Sequence, residues 1–484
     1  MILGINSQNH DASMALIDHD KIVWAAHAER YSRVKNDELL NRAMLNEMLT
    51  YGVPSKVVWF EKPWAKNLRR LYAGQRPWYV DPEDELCKLG LDNLPVEYVK
   101  HHQSHAAAGF YTSKFKDASV LVVDAIGEWN TVSIWSADES GLKSVWTKNY
   151  PNSMGLFYTA FTQYLGLKPN EEEYILMGMA ALGKPKLVEV LKEEFFDKFE
   201  GPDFKLKVNL HRGCKSWPRP EGITDYDIAA SVQALMEEYL LETVKWMRRK
   251  LPSNNFIFMG GVALNCVANT KIAQTKLYDN IWLMPNPGDA GSAIGAVAAY
   301  TKKHLDWQGP YLGTDINREL DIDAIVKDLL AGKVVALANG RAEFGPRALG
   351  NRSLLCDPRG PDAKDRMNSL KRREAFRPFA PAVLAEYADT YFDMPVKESP
   401  YMQFVARCRV PNLLPGICHV DNTSRVQTVT KQDNPKFRAL LEAWYAASGC
   451  PILMNTSMNV KGEPLVNSWA DALRWQDING VGVY

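Results

Sequence analysis

The chain has 484 residues, of which 46% are hydrophobic and 24% charged, an ordinary globular composition with room for two or three cores. Its 57 Lys and Arg balance 57 Asp and Glu, which excludes a nucleic-acid coat or a polybasic membrane anchor as a global property. No run of about 18 uninterrupted apolar residues occurs, the first residues do not read as a signal peptide, and the 7 cysteines are scattered without a CxxC pair. A protein without a membrane span, in a reducing, cytoplasmic compartment, is expected.

In chain order, MILGIN and ASMALID read as two strands, and KIVWAAH as a third beyond a turn. The polar bend at residues 7–11 carries His10 and Asp11. It has the make-up of a phosphate-holding loop, although a plain bend needs no ligand. Residues 38–56 and 81–92 read as helical. HHQSHAAAGF opens a helix with histidines at its head, ASVLVVD is a buried strand ending in an acid, and NTVSIWSAD is the strand after it. Apolar strand, polar bend and hydroxyl-bearing strand repeat the opening plan, which points to a duplicated α/β fold. Residues 225–250 form a long amphipathic helix. FIFMGGVALN and IWLMPNPGDAGSAIGAV are successive βα units, whose turns lie where open α/β sheets bind ligands. The stretch 306–320 reads as a linker between a first domain, 1–305, and a second α/β domain, 321–484.

Four constellations could carry chemistry. His101 and His105 are four apart, so a helix presents both imidazoles on one face; with Asp124 and Asp289 they form a donor set suited to Fe, Zn or Mn. His102 faces elsewhere and is a candidate for substrate or phosphate. Gly260, Gly261 and Asn265, with the PGDAGSA turn, make a candidate nucleotide cleft in which glycine lets backbone approach a ligand. Between Arg341 and Arg377 lie ten Lys or Arg and five Asp or Glu, scattered among Gly, Pro and Phe. Small-molecule phosphate, a structural ion-pair network and nucleic acid all remain open as uses of that cassette. Asn455 and Thr456, at the end of the strand PILMNTS, could hold a carbonyl or phosphate.

These motifs, in this order, resemble the NodU/CmcH/TobZ carbamoyltransferase family: INSQNHDASMALI, HHQSHAAAGFYTS, MGGVALN, PGDAGSA, EFGPRALGNRSLLCDPR, KRREAFRPFAPAV, HVDNTSRVQTV and MNTSMNVKGEPLV. The resemblance implies an actin-like duplicated ATPase fold (Kae1-like) followed by a YrdC-like α/β domain. It implies that carbamoyl phosphate and ATP give carbamoyl adenylate in the second part. The carbamoyl group then passes to an acceptor hydroxyl in the first. Carried over by motif, His101, His105, Asp124 and Asp289 are the ligands of iron(II) or another divalent metal. His10 and Asp11 line the adenylate cleft with Gly260, Gly261 and Asn265. Arg341, Arg347, Arg352, Lys371, Arg373, Arg377, Asn455 and Thr456 form the pocket for carbamoyl phosphate and for ATP with its Mg²⁺. His10 and His102 are the candidates for deprotonating the acceptor. QNHD at residues 8–11, where the family commonly has a second histidine, and Ala125, where it often has glycine, bear on the acceptor. That acceptor is a small-molecule or nucleotide hydroxyl; a nucleic-acid polymer is disfavoured, and a homodimer would be unsurprising. The competing readings are a threonylcarbamoyl transferase acting on tRNA and a non-catalytic ATP-binding module.

Overall fold

Apolar alternation pairs β1 (Ile2–Asn6) with β2 (Ser13–Asp18) in antiparallel register, Ile5 opposite Met14 and Asn6 opposite Ser13. The computed structural model describes residues 1–75, 80–374 and 376–484. Ala375, within the basic cassette, lies outside the described residues. With β3 (Lys21–His27), β4 (Lys56–Trp59) and β5 (Val96–Tyr98), the opening strands build a sheet of order β3-β2-β1-β4-β5. In it β4 runs parallel to β1, and β5 parallel to β4.

The second half repeats the plan. β6 (Ala118–Val123), β7 (Asn130–Asp138) and β8 (Gly141–Asn149) form an antiparallel meander. A small hairpin follows, β9 (Phe196–Phe199) and β10 (Phe204–Leu206). Then β11 (Asn255–Met259) and β12 (Asn280–Trp282) add parallel to β6. Read from β8, the order is again third, second, first, fourth, fifth. The duplication expected from the sequence echo is therefore present, as two sheets of like strand order. Between the two parts of this sheet runs the helix Asp225–Lys250. It starts at a Thr224/Asp227 capping box and ends on Arg248, Arg249 and Lys250, charges that suit its dipole. The small-residue helix Ser292–Thr301 lies directly on the helix His101–Thr112, since a Cβ on Gly295 would stand 2.0 Å from the Ser104 carbonyl oxygen. That close approach brings the turn before it to the histidines.

By its internal contacts the chain divides into two compact units, residues 1–23 with 38–307 and residues 24–37 with 308–484. The segment 24–37 thus groups with the second unit although it precedes most of the first in sequence. Arg30 Nη2 donates to the Gly345 carbonyl at 2.9 Å, and Arg33 donates to the carbonyls of Pro464 and Leu465 at 2.9 and 2.7 Å. The stretch expected as linker carries a strand, β13 (Tyr311–Ile316), because its residues Asp315 and Ile316 find partners in Arg341 and Gly340 of β15 (Gly340–Glu343). The main sheet of this unit combines β14 (Val335–Ala338), β16 (Arg352–Cys356), β17 (Ala380–Leu384), β21 (Gln427–Val429) and β22 (Ile452–Ser457) in the order β14-β16-β22-β17-β21. A three-stranded sheet, β18 (Phe392–Asp393), β19 (Val405–Cys408) and β20 (Thr423–Arg425), completes the strands. One core cluster gathers Leu337, Leu355 and Leu453 around Trp444 and Phe437; a second gathers Leu354, Met454 and Trp475. Among the described residues no helix is long and apolar enough to cross a membrane, and all seven cysteines are free thiols.

A four-atom cluster and a basic cluster

His101 opens its helix, and its backbone N–H donates to Glu128 Oε1 at 3.0 Å; Lys62 donates to the same oxygen at 3.0 Å. A carboxylate at a helix N-terminus satisfies an orphan amide and suits the dipole. One turn on, His105 brings its Nε2 to 3.1 Å from that of His101. Asp124, just past β6, and Asp289, in the turn before Ser292, complete the group. His101 Nε2 stands 3.2 Å from Asp124 Oδ2 and 3.3 Å from Asp289 Oδ1; His105 Nε2 stands 3.2 Å from both. The four side chains thus offer one ligand atom each at a common point. An imidazole nitrogen has a single lone pair or a single proton and cannot bond three partners at once. A cation at about 2.0–2.2 Å from each donor accounts for the convergence, since such donors lie about 3.1–3.4 Å apart. The residues therefore fit a divalent metal. Burial alone would make charge costly here. Even so, the carboxylates hold both imidazoles above their usual range, and the imidazoles hold Asp124 well below and Asp289 below theirs.

Each ligand is held from behind. His101 Nδ1 faces Glu61 Oε2 at 3.3 Å, His105 Nδ1 faces Ser292 Oγ at 3.4 Å, and Asp124 Oδ1 accepts from the Ala125 N–H at 2.8 Å. Asp289 Oδ2 accepts from Asn9 Nδ2. Glu61, Lys66, Asn9 and Glu128 were not expected from sequence. Glu61 lies in FEKP, forty residues before His101, and the parallel pairing of β4 with β5, Trp59 opposite Tyr98, brings it in.

The remaining first-unit candidates border this cluster in different ways. A Cβ on Gly260, which has φ +88°, would stand 2.2 Å from the Val123 carbonyl oxygen, and one on Gly261 would stand 3.2 Å from Asp124 Oδ1. The Gly-Gly turn is therefore packed against the strand end that carries Asp124. His10 Nδ1 pairs with Asp11 Oδ2 at 2.9 Å. Burial works against a charge on His10, but Asp11 and Asp289 outweigh it and push the imidazole up to about 10. Asp11 thus favours the charged form of His10, and the backbone of Asn170 lies on the same side of this balance. His102 is fully buried, with Nδ1 2.8 Å from Ser133 Oγ and Nε2 unpartnered; burial and the neighbouring His101 hold it well below its usual range, as a neutral ring. Asn265 caps the helix Cys266–Gln274 through the Ala268 N–H and exchanges two amide hydrogen bonds with Gln233, at 2.9 and 3.1 Å.

In the second unit, Lys371 is buried and donates to Ser457 and Asn459. Burial first, then Arg373, Arg377 and Lys35, hold its ammonium well below the usual lysine range. Arg373 donates to Asn368 Oδ1 at 2.8 Å and lies 4.0 Å over the Phe379 ring; Arg377 pairs with Glu374 at 3.3 Å. Asn455 donates to Gln427 Oε1 at 2.7 Å and to the Ala348 carbonyl at 3.3 Å, while its own Oδ1 is buried without a partner among the described residues. Thr456 follows it on β22, opposite Leu354. Arg347, half-buried, immediately precedes Ala348. Two other arginines are placed differently. Arg341 donates to the carbonyls of Leu312 and Gly313. Arg352, fully buried, donates to the carbonyls of Asn467, Asn339, Gly340, Asn351 and Thr314 at 2.9–3.2 Å. Its guanidinium organises irregular backbone around β16.

Comparison with known proteins follows the same division. Residues 55–298 match the family described as Carbamoyltransferase N-terminus and residues 326–483 that described as Carbamoyltransferase C-terminus. The 3'-hydroxymethylcephem-O-carbamoyltransferase of Streptomyces clavuligerus is 36% identical over 98% of this chain and 96% of its own. Nodulation protein U of Rhizobium fredii is 35% identical over 98% and 92%. An uncharacterised protein of Synechocystis sp. is 34% identical over 98% and 93%.

Proposed function

This chain belongs to the carbamoyltransferase family, and we propose that its two units divide one ATP-dependent O-carbamoylation. In the second unit, read as YrdC-like, water first cleaves carbamoyl phosphate to carbamate and phosphate; a carbamate oxygen then attacks the α-phosphorus of ATP, the bond to pyrophosphate breaks, and carbamoyl adenylate forms. In the first, read as Kae1-like, an acceptor hydroxyl attacks the carbamoyl carbon; the new C–O bond forms, the bond to the AMP oxygen breaks, and AMP departs. The observation that carries this reading is the pairing, in one chain, of a buried four-ligand cluster with a separate basic cluster around the buried Lys371.

Lys371, itself buried, with the half-buried Arg373 and Arg377 and the exposed Lys35 near it, gathers basic groups that suit a polyphosphate. Arg347 and the orphaned Asn455 Oδ1 supply a cation and an acceptor beside it, the latter suited to the carbamoyl NH₂. Mg²⁺ accompanies the ATP phosphates. In the first unit His101, His105, Asp124 and Asp289 would hold iron(II) or another divalent ion, which supplies Lewis acidity when bound. His10, kept cationic by Asp11, faces the anionic adenylate rather than serving as a base. The Gly260-Gly261 turn, packed against the strand end that carries Asp124, sets the wall of the cleft beside the cluster. The acceptor is a small molecule or nucleotide bearing a hydroxyl, and the free thiols suit a reducing, cytoplasmic setting.

Pyrophosphate release from ATP, measured with and without carbamoyl phosphate, tests this. Release is expected to require carbamoyl phosphate and to fall about 100-fold in Arg347→Ala, as for loss of one charge-stabilising donor. Release that ignores carbamoyl phosphate, in folded and metal-loaded protein, overturns the reading.

A further inference from the structure

Glu61 follows β4 and Lys66 lies on the next helix, Pro63–Tyr72; both side chains are buried, 0% and 3% exposed. Removing two such charges from water costs several kcal/mol each, and a buried ion pair is weak evidence of stability by itself. Here the pair faces a purpose. Lys66 Nζ donates to Glu61 Oε1 at 2.6 Å, which leaves Glu61 Oε2 for His101 Nδ1 at 3.3 Å. Lys66 also donates to the Gln8 carbonyl at 3.2 Å, in the same bend whose Asn9 holds Asp289. One ammonium thereby ties together the supports of two ligands that reach the cluster from opposite ends of the unit's sequence.

We propose that Glu61 is the positioning residue of His101. By accepting the Nδ1 proton it leaves Nε2 bare toward Asp124 and Asp289, and Lys66 locks Glu61 to the 7–11 bend, so that the pair sets the cation affinity of the cluster. The inference rests on the metal reading of that cluster. A carboxylate behind a ligating imidazole fixes its tautomer and raises its donor strength.

Cobalt(II) titration of the metal-free full-length chain, followed by visible absorbance with chelator competition, tests the assignment. Glu61→Gln is expected to raise the cobalt Kd about 10–100-fold, the range for loss of such a support. The neutral pair Glu61→Gln/Lys66→Met removes the burial cost of both charges, so it carries the test if the single variant fails to fold. Its Kd is expected to rise at least as far as that of Glu61→Gln, because Lys66 also holds the 7–11 bend behind Asp289. A wild-type Kd in the folded variants, with His105→Ala still losing the ion, overturns the role of Glu61 alone. Wild-type cobalt binding by His105→Ala overturns the metal reading, and this inference with it.

Discussion

The two units bury charge of opposite sign and treat it differently. In the first, four ligand atoms converge at 3.1–3.3 Å while the far side of each ligand is held by Glu61, Ser292, Asn9 or the Ala125 amide. In the second, lysine and arginine side chains mostly reach carbonyls, amides and a ring, as Lys371 does at Ser457 and Arg373 at Phe379. A set of ligands can be rigid before its ion arrives because each has two ends. A cation cluster has no second end to anchor. Its members hold to backbone until an anion draws them, so fewer of them can be assigned to ligand from geometry alone.

The comparison breaks most visibly if the clusters are not separable. His105→Ala is expected to abolish divalent-metal retention and to slow carbamoyl transfer about 1000-fold, several kcal/mol of charge stabilisation. Carbamoyl-phosphate-dependent pyrophosphate release should persist at the wild-type rate; its loss would mean that the units do not divide the reaction. Arg352→Met sharpens the contrast within the basic cassette. It strips donors from five buried carbonyls and should destabilise the second unit by about 3–5 kcal/mol in urea unfolding. A variant of wild-type stability that no longer binds ATP would make Arg352 an anion ligand instead. The smallest effect concerns Glu374. Burial opposes its charge, yet Lys461 and Arg377 hold its carboxyl down to about 2. A depressed carboxyl adds stability above the unfolded value of about 4.3, and that stability is lost as pH falls through about 2. Glu374→Gln should therefore lower the urea midpoint at pH 7 by the equivalent of less than about 1 kcal/mol, given the solvent screening of a partly exposed pair. The two proteins should converge in strong acid.

Much of the architecture was legible because its signals are local. The four-residue spacing of His101 and His105, the acid that follows ASVLVVD, and the PGDAGSA turn are short-range patterns, and the fold brings these four side chains together. The supporting residues were not legible, since nothing in FEKP marks Glu61 as the partner of a histidine forty positions later. Arg341 and Arg352 were only half legible. In sequence they sit among basic residues and suggest an anion, but the carbonyls they bind belong to turns and edges that no periodicity announces. The strand Tyr311–Ile316 escaped because its pairing partner, Gly340–Glu343, is short and rich in turn and charged residues.

The grouping of residues 24–37 with residues 308–484 has a consequence for how the protein is made. On the ribosome this segment emerges long before the strands it belongs with. At about 5–20 residues per second the intervening 38–307 take roughly 15–50 s to synthesise. Throughout that interval Arg30 and Arg33 lack the carbonyls of Gly345, Pro464 and Leu465. The second unit can therefore close only after Leu465 has emerged, and a nascent chain stalled before Leu465 should hold an early segment still open to protease.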